Sequence, residues 1–104
     1  MDRIERLREF LKANPNDNFV QHALALEYIK TGDDTTARQL FEAVLQRDEN
    51  YVGSYYHLGK LLERNSDIQG AMAVYEKGMV KAKAADERQA YNELQSAYED
   101  LADE

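Results

Sequence analysis

Ser54 and His57 lie one turn apart on a predicted helix, and serine with histidine is the pairing used in nucleophilic catalysis. Such a pair also needs a third group, usually a carboxylate, that orients the imidazole. The sequence places no carboxylate for that purpose. His57 also adjoins Leu58 on a helix with apolar residues on two sides, which is typical of a partly buried structural histidine. The sequence therefore predicts that the protein is not an enzyme.

The sequence also contains no recognisable motif for a metal or cofactor site. His22 and His57 each lack a second histidine at metal-ligand spacing, and the chain has no cysteine. It contains neither an aspartate-rich calcium loop nor a glycine-rich phosphate loop. We expect no metal and no cofactor.

Lys60 and Arg64, again one helical turn apart, are the remaining pair with recognisable chemistry. Helical phase places both away from the face that carries Leu58. Two neighbouring cations can receive an acidic side chain or a carboxylate, so this pair indicates binding rather than catalysis.

The composition is that of one small helical domain. The chain has 104 residues, of which 43% are hydrophobic and 32% charged, with a single proline and five glycines. Its first residues alternate charged and apolar types, unlike a signal peptide, and no apolar run approaches membrane-spanning length. We expect a cytoplasmic protein with no membrane partner.

Charge is distributed unevenly. The net charge is −7, and residues 86–104, with one basic and seven acidic residues, account for −6 of it. Phosphate backbones would be repelled, so we expect no nucleic-acid partner. The acidic end serves either solubility or docking, and the sequence leaves both open.

Apolar residues at helical spacing predict six helices. The first five cover residues 2–13, 18–31, 35–47, 52–64 and 68–83, and a sixth opens at Asp86. Asn16 or Asp17 is expected to cap the second helix, and Asp34 or Thr35 the third. Residues 86–89 have capping-box spacing at the start of the sixth.

The same residue types recur 34 positions apart. The matching pairs are Leu24 and Leu58, Ala25 and Gly59, Ala37 and Ala71, and Phe41 and Tyr75. A fixed period in this range indicates stacked helix pairs. The sixth helix repeats the pattern at a spacing of 36, and we assign the two extra residues to a loosened turn around residues 83–86. Gly59, unfavourable inside a helix, is expected where two helices approach closely.

These positions resemble the tetratricopeptide repeat. Leu58-Gly59, Leu62, Ala71 and Tyr75 stand at that motif's spacing, although its early tryptophan is Tyr55 here. The resemblance, which extends to short bacterial tetratricopeptide proteins, implies an all-α, right-handed array of antiparallel helix pairs. It also implies a single domain over residues 1–104, divided into an N-terminal helix (1–15), two repeats (16–49 and 50–83) and a C-terminal capping helix (84–104).

In that family, the first helices of successive pairs line a concave groove that receives peptides. The resemblance and the helical phase together place six residues there: Phe19, His22, Leu26, Tyr56, Lys60 and Arg64. The sixth helix would add Gln89, Asn92, Ser96 and Glu99. The carboxylate clamp of some members is not expected, because the matching positions are His22, Ala23 and Leu26. The implied function is binding of a protein or peptide, and the alternative is a self-associating structural module that forms a homo-oligomer.

Overall fold

Six α-helices follow one another in the computed structural model, which describes residues 2–103. They are α1 (Arg3–Ala13), α2 (Asn18–Lys30), α3 (Asp34–Arg47), α4 (Gly53–Arg64), α5 (Ile68–Ala84) and α6 (Arg88–Ala102). No strand occurs among these described residues. The predicted all-α fold is confirmed, and the bounds of the first five helices differ from the predicted ones by at most one residue. Met1 and Glu104, the outer limits of the predicted domain, lie outside the described residues.

Aspartate side chains cap the helices at repeated positions. Asp17 accepts a hydrogen bond from the Val20 amide at 3.0 Å, as one of the two predicted caps of α2. The prediction for α3 is wrong: Asp33, not Asp34 or Thr35, accepts from the Thr36 amide at 3.1 Å. Gly32, with φ of 84°, closes α2 early enough for the next residue to cap α3. One period later, Asp67 caps α5 in the same way.

The predicted start of α6 is also wrong. Asp86 has φ of 57° and its amide donates to the Lys83 carbonyl, so it terminates α5 instead of capping α6. The helix begins at Arg88, and Glu87 makes no side-chain capping bond. The extra residues in the repeat spacing lengthen α5, which continues to Ala84, and do not loosen the turn.

The chain forms two compact units, residues up to Arg47 and residues from Asp48. In the first unit, α2 packs on both α1 and α3. Ala25, Ala37 and Phe41 are fully buried there. The His22 ring meets Phe41 edge-on, with centroids 5.5 Å apart. Large and small side chains alternate as the repeated residue pattern predicts. This alternation allows α2 and α3 to lie close together.

In the second unit, α5 packs on both α4 and α6. A Cβ at Gly59 would overlap the ring of Tyr75, which shows how closely α4 and α5 approach at this point. The Tyr75 hydroxyl donates to the Glu63 carboxylate on α4. The close approach expected at Gly59 is thus present, with Tyr75 as the residue that requires it.

Gly78 marks the place where three helices of the second unit meet. A Cβ built there would lie 2.7 Å from Tyr55 Cβ on α4 and 3.0 Å from Leu94 Cδ1 on α6. These distances are shorter than ordinary van der Waals contact, so only glycine fits without a shift of the neighbours. This packing holds α6 in place beside α4.

The turn between α3 and α4 is tied to α5 by Glu49. Its carboxylate lies 3.0 Å from Lys81 Nζ and 3.7 Å from Lys77 Nζ, and its carbonyl accepts from the Tyr55 hydroxyl at 2.5 Å. The hydrogen bond and charge of Lys81, followed by the charge of Lys77, lower the pKa of Glu49. These contacts of Glu49 hold the turn against α4 and α5.

Candidate functional site

A cleft of about 680 Å³ opens between α4 and α6 in the second unit. Nine side chains from the two helices line it: Tyr56, Lys60, Arg88, Gln89, Asn92, Glu93, Ser96, Ala97 and Asp100. The volume lies within the range of binding pockets in proteins. Two of the six predicted peptide-binding residues, Tyr56 and Lys60, therefore lie in one concave site.

Tyr56 is held in place by rings and charge around it. Its ring centroid lies 6.5 Å from that of Tyr75 and 5.6 Å from that of His57. The Lys60 ammonium lies 5.7 Å from the Tyr56 centroid, within the range of a cation–π interaction. Tyr56 is consequently a half-buried aromatic surface with a fixed orientation, the kind of group that anchors partners at interfaces.

Lys60 is also paired with Glu63. Lys60 Nζ lies 3.6 Å from Glu63 Oε2, the same oxygen that accepts the Tyr75 hydroxyl. Burial and the hydrogen bond to Glu63 raise the pKa of Tyr75, so this hydroxyl remains a donor. The Lys60 side chain is still 41% exposed, and its charge therefore reaches the cleft.

Charges of both signs line the cleft in equal number. Lys60 and Arg88 are cationic, whereas Glu93 and Asp100 are anionic. Gln89, Asn92 and Ser96 add amide and hydroxyl groups that can both donate and accept hydrogen bonds. Such a lining suits a peptide backbone, which carries a donor and an acceptor at almost every residue.

Ser54 and His57 differ in their access to solvent. Ser54 is fully buried, so a substrate cannot reach its hydroxyl. Burial lowers the pKa of His57, and the nearby charge of Glu93 only partly opposes this. The half-buried imidazole packs edge-on against the Tyr56 ring, which agrees with the partly buried structural histidine that the sequence predicts. Residues 2–103 contain no group of three side chains arranged to hold a metal ion.

Three other predicted residues lie on α2, in the first unit. Phe19 is 72% exposed, whereas His22 and Leu26 are half-buried. His22 stands one period before Tyr56 and packs against Phe41 as Tyr56 packs against Tyr75. Equivalent positions in the two units thus present equivalent rings. The remaining residue, Arg64, is exposed in the last turn of α4 and does not line the cleft.

The α6 residues that line the cleft match the predicted groove residues only in part. Gln89, Asn92 and Ser96 line it as predicted, whereas Glu99, also predicted, does not. Three charged residues, Arg88, Glu93 and Asp100, line it without having been predicted. The available signal was the spacing of Glu93, Ala97 and Asp100, which places these three on one stripe beside the apolar face.

Similar proteins and structures contain the same kind of repeat that the sequence predicts for this chain. Residues 20–51 and 52–79 match the family model described as Tetratricopeptide repeat. A TPR repeat-containing protein of Pseudomonas aeruginosa is 25% identical over 91 residues, which cover 88% of this chain and 87% of that protein. The crystal structure of a tetratricopeptide repeat domain protein from Salinibacter ruber is 37% identical, with a TM-score of 0.80 over 83% of this chain and 96% of that one.

A more distant structure shares the fold alone. The TPR2B domain of yeast Sti1, solved as a complex with pHsp70, has a TM-score of 0.88 at 15% identity, over 96% of this chain and 80% of that one. Within residues 2–103, every helix is too short or too polar to cross a lipid bilayer.

Proposed function

We propose that this chain, which belongs to the tetratricopeptide repeat family, binds an extended or helical segment of another protein. Members of this family are generally protein-interaction modules and not enzymes. The observation that carries the proposal is the cleft between α4 and α6, where an oriented tyrosine ring lies among charged and amide side chains. The family assignment confirms the resemblance predicted from the sequence.

The cleft chemistry supports a peptide ligand. Tyr56 offers a flat apolar surface, and Asn92 and Ser96, one helical turn apart, can bond to successive peptide groups. Arg88 and Asp100 lie at opposite ends of the α6 segment that lines the cleft, so a bound segment can be oriented by charge. The yeast Sti1 domain of the same fold was solved with a protein partner, which is consistent with this function.

We propose a separate contact surface on α2 of the first unit, formed by Phe19, His22 and Leu26, and we add Arg64 to the contact surface of the second unit. The first three lie on α2 at helical spacing, and Phe19 is an exposed aromatic side chain of the kind found at interfaces. Residues 1–104 are proposed to act as a single binding domain with the repeat limits given above. The partner is neither a nucleic acid nor a membrane in this proposal, because the net charge is −7.

Self-association is the second candidate, and the 72% exposure of Phe19 is the observation that favours it. An exposed aromatic side chain can be covered by a second copy as well as by a different protein. The two candidate functions predict different masses of the protein in solution. Sedimentation at increasing concentration gives a constant monomer mass for an adaptor and a rising mass for a self-associating module.

Tyr56→Ala combined with Lys60→Glu is expected to abolish capture of the partner from cells while the melting temperature stays near that of the wild type. The two changes remove the aromatic surface and reverse a charge of the cleft, and neither residue is fully buried. The measurement is affinity capture followed by mass spectrometry, with thermal melting of both proteins.

A matched control is Lys83→Glu, which reverses an exposed charge on α5 away from the cleft. It is expected to capture the same partner as the wild type. Undiminished capture by the double variant would show that the partner contacts another part of the chain.

A further inference from the structure

A second cavity, of about 400 Å³, lies in the first unit between α1, α2 and α3. Seven residues line it: Arg8, Leu11, Lys12, Leu24, Tyr28, Thr36 and Leu40. It shares no residue with the cleft between α4 and α6, so an occupant here is independent of the proposed peptide ligand. Its volume falls at the lower end of the range for small-molecule pockets.

The cavity results from the way in which α1 and α3 pack on α2. Both α1 and α3 pack on α2 but pack little against each other. Leu24 of α2, almost fully buried, lines the cavity together with Leu11 of α1 and Leu40 of α3. All three are half-buried or buried, so the interior is an apolar slot whose two sides belong to different helices.

The rim of this slot is basic. Arg8 Nη1 donates to the Tyr28 hydroxyl at 2.8 Å, which fixes the guanidinium at the mouth and leaves its other N–H groups able to donate. Lys12, one turn further along α1, lies 3.0 Å from Glu9, but both side chains are mostly exposed, at 74% and 59%. Such a pair is weak, and a ligand carboxylate can replace Glu9.

No carboxylate is among the seven lining residues. Thr36 is the only other polar group in this lining, and its hydroxyl donates to Asp33 at 2.7 Å. An apolar slot with two cations at one edge is complementary to a molecule with an apolar chain and one negative end. A neutral or cationic amphiphile would leave the Arg8 charge without a partner.

We propose that this cavity binds a small amphiphilic carboxylate, such as a medium-chain fatty acid. The alkyl chain lies between Leu11 and Leu40 over Leu24, and the carboxylate accepts hydrogen bonds from Arg8 and Lys12. Each methylene that is buried tightens binding by up to about fourfold. Affinity therefore rises from hexanoate to decanoate.

The test is a titration of the full chain with decanoate below its micelle concentration, followed by ¹H–¹⁵N spectra. Saturable shifts are expected for amides of α1, α2 and α3 around the cavity, whereas decanol and decyltrimethylammonium bind at least tenfold more weakly. Arg8→Gln is expected to weaken decanoate binding about tenfold or more, because it removes charge-assisted hydrogen bonds. Arg6→Gln, an exposed position on the same helix outside the cavity, serves as the matched control and leaves binding unchanged.

Leu40→Phe fills the slot while retaining both cations, so it is expected to abolish binding with the fold intact by melting. The proposal is overturned if decanoate causes no saturable shift, or if all three amphiphiles bind equally. It is also overturned if Arg6→Gln weakens binding as much as Arg8→Gln, since net charge alone would then be responsible. Binding of an acidic amphipathic peptide at these amides, without binding of decanoate, would replace the small molecule by a protein segment.

Discussion

A chain that stops at Ala85 is expected to melt far below the intact protein and to dimerise or aggregate. The truncation removes α6, whose Leu94, Ala97 and Leu101 are buried in the second unit. It also uncovers Gly78 and the Tyr55 side chain behind it. Each large side chain buried contributes about 1.5–3 kcal/mol. For Leu94 and Leu101 this amounts to about 3–6 kcal/mol, a large part of the total stability of about 5–15 kcal/mol typical of a small domain.

A chain that stops at Ala102 is the matched control, because it removes acidic residues and keeps the packing of α6. It is expected to melt like the full chain. The rival interpretation treats α6 as a detachable acidic arm that binds partners. Under that interpretation, the chain ending at Ala85 stays monomeric with an unchanged melt, and amides of residues 88–101 exchange fast in the intact protein. Those two results together would contradict the capping role of α6.

Gly59→Leu is expected to lower stability strongly, and even Gly59→Ala is expected to lower it. In an ordinary helix, alanine is favoured over glycine by about 1 kcal/mol. Here the added Cβ would overlap the Tyr75 ring, which is fully buried and hydrogen-bonded to Glu63 and so has little room to move. Overpacking of this kind typically costs about 1–3 kcal/mol, and more for the larger leucine. Chemical denaturation measures both variants.

Ala73→Leu introduces the same leucine at an exposed position of α5, and it is expected to change stability little. This comparison separates the effect of position from that of residue type. If Gly59→Leu melted at the wild-type temperature, that result would contradict the close approach of α4 to the Tyr75 ring of α5 at Gly59.

The repeat spacing made most of the fold predictable. Leu24 and Leu58, Ala25 and Gly59, and Phe41 and Tyr75 fix both the period and the phase of each helix, so the helix bounds follow closely. Tyr56 and Lys60 were predictable as cleft residues because their helical phase is opposite to that of the buried Leu58.

The start of α6 and its contribution to the cleft were less predictable. The position of a helix end depends on which residue adopts the left-handed conformation, and Asp86 does so without being glycine. Whether Glu93 or Glu99 lines the cleft depends on how α6 is rotated about its axis beside α4. That rotation is fixed by the contact of Gly78 with Tyr55 and Leu94, which the repeat alone does not specify.

The cavity between α1 and α3 had no sequence signal of its own. Leu11, Leu24 and Leu40 belong to the ordinary apolar stripes of three helices. Only the spacing of the helices decides whether these side chains meet or leave a slot, and this spacing results from packing on α2.

The face shared by α4 and α6 is proposed to contact a protein partner, and site-specific photo-crosslinking in the native cell tests this contact. A photoreactive amino acid at Ser96, exposed in the cleft, is compared with the same group at Ala73, exposed on α5 away from it. We expect a discrete crosslinked species from position 96 that disappears in the Tyr56→Ala/Lys60→Glu background, and none from position 73. Crosslinking from position 73 alone, or equally from both positions, would contradict the claim.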